Sequence, residues 1–131
     1  MNIELRHIYK HFGPVTANND ISLLLREGQI IGVLGENGAG KTTLMKILSG
    51  YQPADSGDIL IDGQVVDYDN PRVAISYGVG MLQQDPLDVG AFTVVENYTL
   101  GLPARFLPDW KTAEKQIVAA NKKFGFNLDP H

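Results

Sequence analysis

The octet Gly35-Glu36-Asn37-Gly38-Ala39-Gly40-Lys41-Thr42, followed at once by Thr43, constrains this chain more than any other stretch. It satisfies the pattern G-x-x-x-x-G-K-[ST], whose meaning depends on what flanks it. Upstream, Gln29-Ile30-Ile31-Gly32-Val33-Leu34 is a short apolar run that predicts a buried strand. Downstream, Lys41 to Ser49 carries apolar residues at helical spacing, and Gly50 stands where such a helix would stop. Strand, glycine-rich loop and helix in that order make a phosphate cradle.

The residue types follow from the chemistry. A polyphosphate carries several negative charges that must be held without water, so a loop that aims successive backbone N–H groups at them is effective. Gly35, Gly38 and Gly40 permit a tight turn and a close backbone approach, while Glu36, Asn37 and Ala39 contribute main chain. A helix starting near Gly40 adds the partial positive charge of its N-terminus, with Thr43 in the first turn. Lys41 supplies a point charge for the outer phosphates, and the Thr42 hydroxyl is a ligand type suited to Mg²⁺. The competing reading, a glycine-rich turn with an incidental lysine, leaves the full set of elements unexplained.

With 131 residues, 44% of them hydrophobic, the chain is long enough for one domain with its own core. A net charge of −4 argues against a nucleic-acid-binding surface, so no nucleic-acid partner is expected. There are no cysteines, hence no disulfide framework and no thiolate metal site. The first residues lack the apolar core of a signal peptide, and no apolar run approaches bilayer length. The expectation is a cytoplasmic protein that meets a membrane only through a partner.

Taken in order, Ile3 to Phe12 predicts a strand broken by Gly13-Pro14, and Asp20 to Leu25 a second strand turned by Glu27-Gly28. Gln52 to Gly57 is a turn cluster, after which Asp62-Gly63 joins Asp58–Ile61 and Gln64–Val66 as a hairpin. Asn70-Pro71 predicts a capped short helix to Tyr77, and Gly78 to Leu82 a brief strand. Thr93-Val94-Val95-Glu96 is a capping box opening a helix to about Leu100, ended by Gly101-Leu102-Pro103. A last helix follows Asp109, with Trp110, Ala113, Ile117, Ala120 and Phe124 on one face and Gly125 as its cap.

The flanks choose among phosphate-loop proteins. Lys10-His11-Phe12-Gly13, the loop to Gly50, Pro53-Ala54-Asp55-Ser56-Gly57-Asp58-Ile59 and Asp62-Gly63 together resemble the ATPase subunit of an ABC transporter. The loop and Gly78-Val79-Gly80-Met81 are most similar to importer ATPases of the sugar and nucleoside type. The resemblance implies an α/β phosphate-loop fold with an antiparallel β region plus an incomplete parallel core sheet. It implies a division of residues 1–131 into a β region with phosphate and glutamine loops (about 1–90) and the start of a helical subdomain (91–131). It implies Mg-ATP as the bound nucleotide, transmembrane permease subunits and a second, head-to-tail ATPase subunit as partners, and a peripheral place on the cytoplasmic face of the membrane. Phe12 sits where the family has an aromatic that stacks on adenine; the plain alternative is a strand-end core residue. Gln84 matches the glutamine-loop residue, with a catalytic role beside Lys41 and a place near Mg²⁺ beside Thr42. Its neighbour Gln83 leaves a one-residue ambiguity in which the spacing favours Gln84; the plain alternative is a solvated polar pair at a strand end. By the same resemblance, the loop from Asp85 to Thr93 and the helix after it correspond to a docking surface for a transmembrane subunit.

Other family parts find no match in this sequence: a signature motif, an apolar strand ending in Asp-Glu, and a switch histidine. Leu48-Ser49-Gly50-Tyr51-Gln52 mimics the signature in letters but ends a helix; Ile59-Leu60-Ile61-Asp62 is followed by Gly63; Asn121-Lys122-Lys123-Phe124 lacks the Asp of a guanine-reading motif. His7 and His11 fall in the first strand as solvated or core-edge residues. The expectation is a front part of such an ATPase that binds ATP with negligible turnover. Apolar surface normally covered by missing strands would be exposed or covered by another copy. A GTPase, a small-molecule kinase or a non-transport ABC protein remain the alternatives.

Overall fold

The computed structural model describes residues 1–85, 88–102 and 109–131. Its sheet is built around β1 (Ile3–Phe12), which pairs antiparallel with β2 (Val15–Leu25) on one edge and β3 (Ser56–Ile61) on the other. The short strand β4 (Gln64–Val66) completes the order β2-β1-β3-β4. Gly13-Pro14 turns β1 into β2, and Asp62-Gly63 turns β3 into β4 with positive φ at both residues (49° and 82°). Such a turn matches the right-handed twist of flanking strands.

β1 does not keep strict alternation. Ile3 and Leu5 face the core, and period two would bring His7 in next. His7 instead adopts φ 51° and bulges relative to both neighbouring strands, which returns Ile8 to full burial. Its backbone N–H donates to Ser22 Oγ (3.0 Å), and its ring Nδ1 lies 2.7 Å from Asp20 Oδ1, another left-handed residue.

Helix α1 (Lys41–Leu48) lays Leu44, Ile47 and Leu48 against Leu5 and Ile8, and Tyr68, Ala74 and Val79 close this core. Helix α2 (Pro71–Ser76) begins as its letters require: Asn70 Oδ1 accepts from Val73 N–H at 3.0 Å and Pro71 fills the first helical position. The residues Met1–Leu82 form one compact unit and Gln83–His131 a second. In the second unit, α3 (Val94–Leu100) carries the reciprocal Thr93–Glu96 capping box, and α4 (Trp110–Phe124) starts at Asp109 and ends at Gly125 (φ 71°). Val95, Ala113 and Ile117 are its core, while Trp110 and Phe124, expected on the same face, are exposed. The Asn97 side chain accepts from Val89 N–H (2.7 Å) and donates to Val89 O (3.1 Å), pinning part of the loop between Asp85 and Thr93. The expected helix stop at Pro103, and Pro86 and Leu87 of that loop, lie outside the described residues.

Two expected strands are absent. Gln29 to Leu34 makes no strand pairing, and Ile30 and Leu34 are fully exposed (103% and 94%). Gly78 to Leu82 likewise forms no strand; Val79 is buried, but Leu82 is 98% exposed. The reason is that a strand is completed by its neighbours, not by its own side chains. Among the described residues no segment offers either run a parallel partner, so the only sheet is the antiparallel one. The second strand departs the other way, beginning at Val15 rather than Asp20, because backbone pairing with β1 carries the polar stretch Thr16–Asp20 along.

Candidate nucleotide-phosphate site

The loop is shaped by two left-handed glycines, Gly38 (φ 84°) and Gly40 (φ 83°), with Ala39 N–H donating to Glu36 O at 3.1 Å. A Cβ on Gly40 would lie 2.0 Å from Ala17 O, so only glycine lets the loop cross β2 at this distance. Asn18, 4% exposed, donates from Nδ2 to Gly40 O (3.3 Å) and anchors the crossing. Gly40 is also the N-cap of α1, and it has no side chain with which to cap the helix. The first turn holds Lys41, Thr42 and Thr43 and no acidic residue. Its N–H groups and the helix dipole therefore point out of the loop as an anion acceptor.

Lys41 folds back across the loop, donating from Nζ to both Gly35 O and Glu36 O at 2.8 Å. Sequence reasoning placed Gly35, Glu36, Asn37, Gly38, Ala39, Gly40, Lys41, Thr42 and Thr43 in one element, and the structure gathers them there. Phe12 ends β1, half exposed at 49%, in the same unit. Gln84 is exposed and belongs to the second unit; Gln83 is half-buried. Thr42 and Gln84, the proposed metal residues, need no cluster of protein carboxylates. Mg²⁺ usually keeps waters and takes phosphate oxygens beside one or two protein ligands. Among the described residues no group of three or more His, Cys, Asp or Glu could hold a metal ion.

Sequence reasoning missed the supports. Asn18 lies in a polar stretch to which the sequence assigns no element, and Asp55 lies in the Gln52–Gly57 turn cluster. The Asp55 carboxylate accepts from Lys10 Nζ (2.7 Å) and from the His11 backbone N–H (2.6 Å), and lies 3.2 Å from His11 Nδ1. These donors, Lys10 first, hold its carboxyl down at about 2. The three look-alike motifs fall where their context put them: Leu48 ends α1, Asp62 begins the β3–β4 turn, and Asn121–Phe124 lies inside α4.

Fold and loop define a phosphate-loop nucleotide-binding protein. The family model described as ABC transporter matches residues 18–130, and the chain belongs to that family. It is 39% identical over 98% of its length to the nucleoside import ATP-binding protein NupA of Lactococcus lactis subsp. cremoris. It is 41% identical over 97% of its length to the ribose import ATP-binding protein RbsA of Rhodopirellula baltica. The chain spans about a quarter of these curated relatives, 26% and 25% respectively. Among solved structures, the ADP conformation of MJ1267, an ATP-binding cassette of an ABC transporter, superposes with a TM-score of 0.77. That match is 23% identical and covers 99% of this chain and 57% of the other, so it speaks for the fold alone. No helix among the described residues is long and apolar enough to cross a membrane.

Proposed function

We propose that this chain is the N-terminal part of the ATP-binding subunit of an importer for a small solute such as a sugar or nucleoside. The observation that carries the reading is the uncapped start of α1 with the Lys41 ammonium folded over the loop mouth. Lys41 exchanges its two carbonyl acceptors for phosphate oxygens, the loop amides take the remainder, and Thr42 Oγ1 ligates the accompanying Mg²⁺. Bound Mg²⁺ supplies charge neutralisation to the phosphates. Phe12 stacks on the base, and Gln84 orients the attacking water and senses the membrane partner. In the full-length subunit, ATP hydrolysis drives import through permease subunits at the cytoplasmic face of the membrane, with the catalytic site between two head-to-tail copies. The names of the relatives, all import ATP-binding proteins, support this reading.

Calorimetry of the 131-residue chain with Mg-ATP at neutral pH tests it. Binding is expected, with negligible steady turnover. Lys41→Ala should weaken binding by about 10-fold or more, the worth of one charge-assisted hydrogen bond. A folded sample that releases no heat with Mg-ATP would sink the reading. Equal competition by GTP would favour a GTPase instead, and steady hydrolysis abolished by Lys41→Ala would refute the low-turnover part.

A further inference from the structure

Asp55 sits 45 residues from Lys10 in sequence, yet its carboxylate gathers three groups from the end of β1. Its own backbone N–H donates to Tyr9 O (2.9 Å), so the contact is two-way. An ordinary surface ion pair joins two mobile side chains; here one carboxylate oxygen takes a strand N–H, and the main-chain N–H of Asp55 returns to the strand. Lys10, whose side chain is only 12% exposed, is held with its Nζ over the Phe12 ring, 5.7 Å from the centroid. The ammonium thus faces the Phe12 ring by cation–π attraction, while Phe12 as a whole stays 49% exposed and accessible to a planar partner. The same row continues to the phosphate loop: Lys10 is the cross-strand partner of Asn18, and Asn18 binds Gly40 O.

We infer that Asp55 is a positioning residue for the nucleotide base, setting the Phe12 ring for stacking through Lys10 and the His11 backbone. This rests on the proposed role of Phe12 as the base-stacking aromatic. The ligand class is a purine or other aromatic base carried on a polyphosphate, with the phosphates held independently by the loop. Asp55 itself touches neither part. Its loss should therefore cost base affinity and spare phosphate affinity, a split that general destabilisation would not produce.

The test compares dissociation constants for Mg-ATP and for inorganic tripolyphosphate with Mg²⁺. They are measured on the wild-type chain, Asp55→Asn, Phe12→Ala and the double variant. Stacking of a base is worth about 5- to 150-fold, so Phe12→Ala should weaken ATP within that range and leave tripolyphosphate unchanged. Asp55→Asn should weaken ATP at least about threefold, again sparing tripolyphosphate, and should add nothing in the Phe12→Ala background. If Phe12→Ala loses ATP selectively but Asp55→Asn does not, the positioning role is wrong while the base site stands. If Phe12→Ala has no selective effect, the base-stacking reading fails and takes this inference with it. Equal losses of both ligands in Asp55→Asn would mark a merely structural role. Should Asp55→Asn not fold, Lys10→Met, which keeps the Asp55–His11 backbone bond, carries the same expectations.

Discussion

Gly40→Ala and Gly38→Ala make a matched pair, because both glycines are left-handed, at φ 83° and 84°, in the same loop. The backbone penalty is common to both: about 1–2 kcal/mol for a non-glycine residue in that region. Their surroundings differ. A Cβ on Gly38 meets nothing within 4 Å, whereas one on Gly40 would stand 2.0 Å from Ala17 O and 3.0 Å from Asn18 Nδ2. Restoring a normal contact requires the start of α1 to retreat from β2 by about 1 Å, and forced shifts of this kind cost a further ~1–3 kcal/mol. Gly40→Ala should therefore lose about 2–5 kcal/mol and Gly38→Ala about 1–2 kcal/mol. The retreat also displaces the first N–H groups of α1. Losing one charge-assisted hydrogen bond there would weaken tripolyphosphate by about 10- to 150-fold in Gly40→Ala. Urea unfolding and calorimetry on the two variants read both quantities. Equal destabilisation of the pair, or wild-type tripolyphosphate affinity in a folded Gly40→Ala, would show that the Gly40–Ala17 approach does not hold the start of α1 in place.

Two further outcomes follow from the structure. Thr93→Ala removes the acceptor for Glu96 N–H (3.3 Å) and should cost about 1 kcal/mol, seen as faster amide exchange across α3 with phosphate affinity unchanged. The Asp55 carboxyl lies at about 2 when folded against an ordinary 3.8, so the unfolded chain binds that proton more readily. Its stabilising contribution is complete above 3.8 and is lost as the pH falls towards 2. The stability difference between wild type and Asp55→Asn should shrink over that interval in acid titrations monitored by circular dichroism. A difference that stayed constant would contradict the geometry around the carboxylate.

Local chemistry was legible without coordinates wherever one residue decides its own backbone. Asn70-Pro71, Thr93 with Glu96, Asp62-Gly63 and Gly125 each specify a cap or turn through their own side chain or tolerated φ, and each does so here. The phosphate loop belongs to the same class, since its glycines and Lys41 act through the segment that contains them. Strand pairing belongs to the other class. Gln29–Leu34 has the letters of a buried strand and remains unpaired, because edge hydrogen bonds must come from another part of the chain. Ala17–Asp20 has poor strand letters and still lies within β2, because β1 runs beside it. The His7 bulge, the Asn18 anchor on Gly40 and the Asp55 grip on β1 likewise join residues far apart in sequence. No local pattern encodes such contacts: they arise from packing and register, which exist only once distant segments meet.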